Sequence, residues 1–139
     1  MDSGVTYYAI GEKYVEEARQ SAESLKEHND IPTTLFTDQE VETGVIDNVR
    51  HIDASEYPLL DYIERLKESP YDRTLFLDTD TYVTANIEEL FEMLDTFDIG
   101  LSIDELRHRK YAPYYMGFQN RRTRIFPRVQ FRCDGVPQH

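Results

Sequence analysis

Cysteine occurs once in the 139 residues, as Cys133, so no internal disulfide can form and the default compartment is a reducing one. The chain therefore reads as intracellular and cytoplasmic. Met1-Asp2-Ser3 carries no basic region, and the first apolar run, Val5 to Ile10, is too short for the core of a signal peptide. No stretch approaches the length of a transmembrane segment. Basic residues are scarce as well: residues 1–106 hold 7 Lys and Arg, only three of them lysines, against 26 Asp and Glu, a net charge of -19. Such a surface repels polyphosphates and excludes nucleic acid as a partner. It suits a cytosol of high salt, where screening removes the self-repulsion, so a halophilic origin is expected. Residues 107–139 reverse the balance, with 8 Lys and Arg against one acidic residue. The chain divides accordingly into an acidic domain, 1–106, and an atypical basic tail, 107–139.

What the sequence does have is alternation. Val5 to Ile10 is β-branched and aromatic and ends at Gly11, as a strand does. From Glu12 to about His28 the apolar or small residues Tyr14, Ala18, Ala22 and Leu25 recur at helical spacing, and Asn29-Asp30 with Pro32 stop the helix. Thr33 to Thr37 is a second strand, Asp38 to Asn48 an acidic loop, and Val49 to Ile52 a third strand. Pro58 opens a helix through Leu59, Ile63 and Leu66. The run Thr74-Leu75-Phe76-Leu77 reads as a strand buried on both faces. Asn86 caps a helix with Glu89 at the capping-box position, burying Ile87, Leu90, Phe91 and Leu94, and Asp98 to Ile103 reads as another strand. This βαβ order predicts an α/β fold, a mostly parallel sheet with helices on both faces.

The buried strand ends in Asp78-Thr79-Asp80. Continued as a strand, it would deliver both carboxylates to its carboxyl end, pointing the same way. Open α/β sheets bind ligands there. Two carboxylates one residue apart repel unless a cation sits between them, and a divalent ion with oxygen preference is the usual solution. Such an ion can hold a diphosphate. Elsewhere, His28 is placed to complement a helix C-terminus and His51 has no second ligand at a recognisable spacing. Arg65 and Lys67 could reach a phosphate but suit i,i+4 surface pairs equally well, and Asp38 suits a turn.

With Tyr71-Asp72-Arg73-Thr74-Leu75-Phe76-Leu77-Asp78-Thr79-Asp80-Thr81, Asn86 to Phe91, Phe36-Thr37-Asp38, and Tyr14, Ala18 and Ser24-Leu25 in the first helix, the chain resembles the glycogenin-like, family 8-type glycosyltransferases over residues 4–105. The resemblance implies a Rossmann-like GT-A fold, incomplete at its C-terminus, that moves a sugar from a nucleotide-diphosphate-sugar donor to an unknown acceptor. It further implies that Ala9, Ile10 and Gly11 border the nucleotide and that Tyr14 stacks on the base; Asp38 resembles a position near the nucleotide, with the turn role at least as open. Asp78 would contact the metal or the ribose, Thr79 would lie beside the nucleotide, and Asp80 would ligate Mn²⁺ or Mg²⁺. Tyr14 also lies on the apolar stripe of its helix, so a core role is equally open.

In this family a third metal ligand, usually a late His, and much of the acceptor pocket follow the region matched. About a hundred more residues are needed. The expectation is a truncated, inactive donor-binding half. The tail from Asn120 has neither helical nor strand periodicity, and codons exist whose reading one nucleotide later gives Asn-Ser-Gly-Val, similar to the family's motif at that place. A frameshift and a genuine basic tail that docks on the acidic domain both account for it. Two other classes stay open. A haloacid-dehalogenase-like phosphatase also carries Asp-x-Asp after an apolar strand, but on its first strand, and with Thr or Val where Tyr82 stands. The other is a non-catalytic nucleotide-sugar-binding domain.

Overall fold

The computed structural model describes residues 2–54, 58–100 and 130–132. Its elements are β1 (Ser3–Ala9), α1 (Glu12–Lys26), β2 (Thr33–Thr37), β3 (Asn48–His51), α2 (Pro58–Leu66), β4 (Arg73–Phe76), the single-turn α3 (Glu89–Glu92) running into a 3₁₀ turn (Met93–Asp95), β5 (Ile99–Gly100) and β6 (Gln130–Arg132). The six strands lie in the order β3-β2-β1-β4-β6-β5. The first four are mutually parallel, and β6 runs antiparallel between β4 and β5. The predicted α/β architecture with a mostly parallel sheet is therefore the observed one.

Strand alternation explains the two layers. Val5, Tyr7 and Ala9 of β1, with Leu35 and Leu75, turn to one face and pack on Val15, Ala18, Ala22 and Leu25 of α1. The alternate residues turn to the other face, where Tyr62 of α2 sets its ring edge-on to Tyr8 and Phe76, at centroid distances of 5.8 and 5.5 Å. The helices thus cover both sides of the central strands, which is why β1, β2 and β4 are apolar or Thr-rich with little polar alternation.

Polar anchors hold the connections. Asn29 ends α1 as anticipated, its backbone N–H and side-chain amide both donating to the Leu25 carbonyl. Asp47 closes the acidic loop: its carboxylate accepts from the Thr33 N–H and hydroxyl and from Lys26 Nζ at 2.8 Å. Burial works to raise the Asp47 pKa, but the bonds from Lys26 and Thr33 outweigh it and the carboxyl is held below its ordinary value.

Three expectations are corrected. The helix expected from Asn86 shrinks to a single turn from Glu89. The Asn86 side chain does accept from the Glu88 N–H at 2.9 Å, but Leu90 and Phe91 bond back three residues, which tightens the segment toward 3₁₀ geometry. The tail contributes a strand, because β4 has its second edge free once β1 pairs the first, and β6 fills it. Three residues are too few to show alternation in the sequence. The predicted Arg65 pair forms with Glu68, at i,i+3 rather than i,i+4. Leu101 to Ile103 of the last expected strand, Cys133, and the tail other than 130–132 lie outside the described residues.

Candidate functional site

In register, Ala9 pairs with Thr37 and Thr6 with Phe76, so β2, β1 and β4 end along one edge of the sheet. The chain moves from β1 outward to β2 and β3 and then crosses back to β4 on the other side of β1. The loop after β1 consequently leaves the sheet at the point where strand order reverses, flanked by Asp38 after β2 and Asp78 after β4. A crevice at such a point is where open α/β sheets take ligands.

Gly11 makes the turn into α1 with φ 89° and ψ 153°, a conformation that only glycine adopts without strain. Nothing lies within 4 Å of where a Cβ would stand, so the backbone alone demands glycine. Its N–H donates to Asp38 Oδ1 at 2.8 Å. A hydrogen bond from the Gln39 side chain, then the one from Gly11, hold the Asp38 carboxyl below its ordinary value. The Asp38 turn is therefore a latch on the loop of Ala9, Ile10 and Gly11.

The latch has a pH signature. A carboxyl with a depressed folded-state pKa contributes stability that is present above its unfolded value, near 3.8, and is lost as pH falls through the folded value. Asp38→Asn keeps the acceptor for Gly11 but removes the charge. Its melting temperature should fall below that of the unaltered chain at neutral pH, with the gap closing below about pH 3.8. A gap independent of pH would show that the charge contributes nothing.

At the aspartates the sequence expectation needs correction. β4 stops at Phe76; Leu77 still donates its N–H to the Thr6 carbonyl at 3.1 Å, and then the chain turns, with the Thr81 N–H donating to the Asp78 carbonyl at 3.1 Å. Asp78, Thr79 and Asp80 therefore occupy a turn beyond the strand, and the alternation argument does not orient them. Both Asp78 and Asp80 are exposed. Thr79 is half-buried, its hydroxyl donating to Glu17 Oε2 on α1 at 3.1 Å.

Tyr14 is 49% exposed, and Lys13 Nζ lies 5.4 Å from its ring centroid. The core alternative for Tyr14 is thereby excluded: Val15 takes the inward position in that first turn. His28 and His51 are exposed, and among the described residues no group of three His, Cys, Asp or Glu is placed to hold a metal. A depression of about 310 Å³, bordered by Ser3, Pro32, Arg73 and Glu88, lies at the amino ends of the strands and is remote from the triplet.

Sequence reasoning missed Glu17 and Tyr8. No local pattern pairs Glu17 with a residue 62 positions away. Tyr8, on the last pleat of β1, has a buried hydroxyl without a partner among the described residues. Burial, then the Asp61 charge, raise its pKa, with Arg65 opposing. Its place one residue before Ala9 was the available signal.

No protein-family model and no curated protein matches the sequence. Solved structures do. A galactosyltransferase, LgtC, in complex with donor and acceptor sugar analogs, is similar over 94% of this chain and 56% of its own, with a TM-score of 0.62 and 18% identity. The glycosyltransferase GlyE of Streptococcus pneumoniae TIGR4 is similar over 79% of this chain and 32% of its own, with a TM-score of 0.58 and 16% identity. TarS of S. aureus is similar over 75% and 22%, with a TM-score of 0.51 and 16% identity. At these identities the likeness shows the fold: the chain has the α/β fold of these glycosyltransferases and spans 56% of the length of LgtC.

Proposed function

We propose that this chain binds a nucleotide-diphosphate-sugar with Mn²⁺ or Mg²⁺ and serves the transfer of its sugar to an acceptor. The observation that carries this reading is the convergence, at the strand-order reversal of a glycosyltransferase fold, of a latched glycine loop, an exposed tyrosine and two exposed carboxylates. Tyr14 offers a half-exposed ring at the first turn of α1, suited to a flat base. Ala9, Ile10 and Gly11 lead from β1 into α1 at the same edge.

The donor set fits the ion. Asp78 and Asp80 are hard oxygen ligands, and Mg²⁺-type sites characteristically use one or two carboxylates, with substrate phosphates and water completing the shell. When bound, the ion offsets the negative charge of the diphosphate as it leaves. The carboxylates hold it in place and need move no proton. No observation favours the phosphatase alternative, whose Asp-x-Asp lies on the first strand, since here the triplet follows β4. Among the described residues no helix is long and apolar enough to cross a membrane.

The test is thermal. At saturating Mn²⁺, UDP or GDP at about a hundred times its dissociation constant should add about 2.7 kcal/mol to the stability of the fold. For a domain of this size that is a rise of several degrees in melting temperature. A shift no larger than that from NaCl of equal ionic strength would overturn the donor-site reading.

A further inference from the structure

We propose that Glu17 is a positioning residue for the Asp78 and Asp80 carboxylates, acting through the hydroxyl of Thr79. The inference rests on the donor-site reading above and assigns a residue that neither the triplet nor its flanks contain. One side of α1 and Asn29, in the turn after it, hold the chain after β4 in a series of polar contacts. Glu17 Oε2 accepts from the Thr79 hydroxyl at 3.1 Å, and Ser24 Oγ accepts from the Val83 N–H at 2.9 Å. Asn29 donates to the Ala85 carbonyl at 3.1 Å and accepts from the Ile87 N–H at 2.8 Å. The segment from Thr79 to Ile87 thus runs along α1, and Glu17 makes the first contact, the one inside the triplet.

Two physical consequences follow. A threonine hydroxyl between two carboxylates would otherwise donate to one of them or to water, taking up a lone pair that a cation needs. Held by Glu17, it donates to neither Asp78 nor Asp80. The contact also ties the turn to a fifteen-residue helix whose adjoining side is packed in the core, so the turn is placed by a rigid element. The contact Glu17 makes with the triplet is through the Thr79 hydroxyl, so its role runs through Thr79. Lys13, 3.6 Å away at i,i+4, partly offsets its charge.

The experiment titrates Mn²⁺ alone, and then UDP at saturating Mn²⁺, into the unaltered chain and into Glu17→Ala, Glu17→Gln, Thr79→Val, Thr79→Ser and the double variant Glu17→Ala/Thr79→Val. Metal-free melting temperatures are recorded beside them. Groups that orient metal ligands are worth about 10- to 100-fold in metal affinity. Glu17→Ala and Thr79→Val should each weaken Mn²⁺-dependent UDP binding by about tenfold or more with little change in metal-free melting. Glu17→Gln and Thr79→Ser, which keep acceptor and donor, should restore most of it, and the double variant should be no weaker than either single one. Unchanged affinity in Glu17→Ala, a Glu17→Gln as weak as Glu17→Ala, or a double variant whose losses multiply would each overturn the positioning role alone. Absence of Mn²⁺-dependent UDP binding in the unaltered chain would overturn the donor-site reading and this role together. Should Glu17→Ala fail to fold, Thr79→Val against Thr79→Ser decides the question.

Discussion

Gly4→Ala should destabilise the protein by about 2–3 kcal/mol, the upper part of the range of about 1–3 kcal/mol for an overpacked core. A methyl group at Gly4 would stand inside contact distance of the Tyr71 ring, at its Cγ, Cδ2 and Cε2 atoms. Neither partner can yield cheaply. Gly4 is fixed in β1 opposite Thr74 of β4. Tyr71 is buried, and its hydroxyl is hydrogen-bonded to Thr34 Oγ1 at 2.8 Å, so backing the ring away breaks that bond in the interior. Urea denaturation would read the loss as a lower midpoint at unchanged slope. The cause can be isolated: Tyr71→Ala should cost distinctly less in the Gly4→Ala background than in the unaltered chain, because there removing the ring also relieves the clash. A Gly4→Ala chain within about 0.5 kcal/mol of the unaltered one would show that the ring does not rest on this glycine.

Gly4 illustrates what a sequence conceals. Nothing local distinguishes it from a glycine that merely weakens a strand; the reason for it is a ring 67 positions later. Whatever depended on local periodicity was legible. β2 falls on Thr33–Thr37 as read, α1 begins at Glu12, and Pro58 opens α2. The layer order followed from the same alternation. The errors came where a pattern was extended past the element that produced it. The aspartate triplet was read with strand alternation, yet the hydrogen bond from Thr81 to Asp78 ends the strand geometry before the second carboxylate. Tyr14 falls on the apolar stripe of α1 by spacing, but Val15 takes the inward position in that turn and leaves the Tyr14 ring half exposed. Glu17, Ser24 and Asn29 read as ordinary helix-surface or helix-end residues. Their partners lie 56 to 62 positions away, where only the fold brings them together.

Asp80→Asn should weaken Mn²⁺-dependent UDP binding by about 100-fold or more, about 2.7 kcal/mol, while leaving the metal-free protein as stable as before or slightly more so. The opposite signs come from one cause. Without an ion, Asp78 and Asp80 are two exposed negative charges one residue apart, in a domain already rich in carboxylates, and removing one relieves repulsion. Both side chains are exposed and the turn is closed by the Asp78 main-chain carbonyl, so neither charge is needed for the fold. With an ion, the repulsion that burdened the empty site is what attracts the cation, and ligand charge sets its affinity. Asp78→Asn should behave in the same way. Melting curves with and without Mn²⁺ and UDP would therefore cross: each variant melts at or above the unaltered chain in chelator and below it in saturating ligand. A merely structural aspartate would lower both curves together. Two unaffected curves would move the ion away from this triplet.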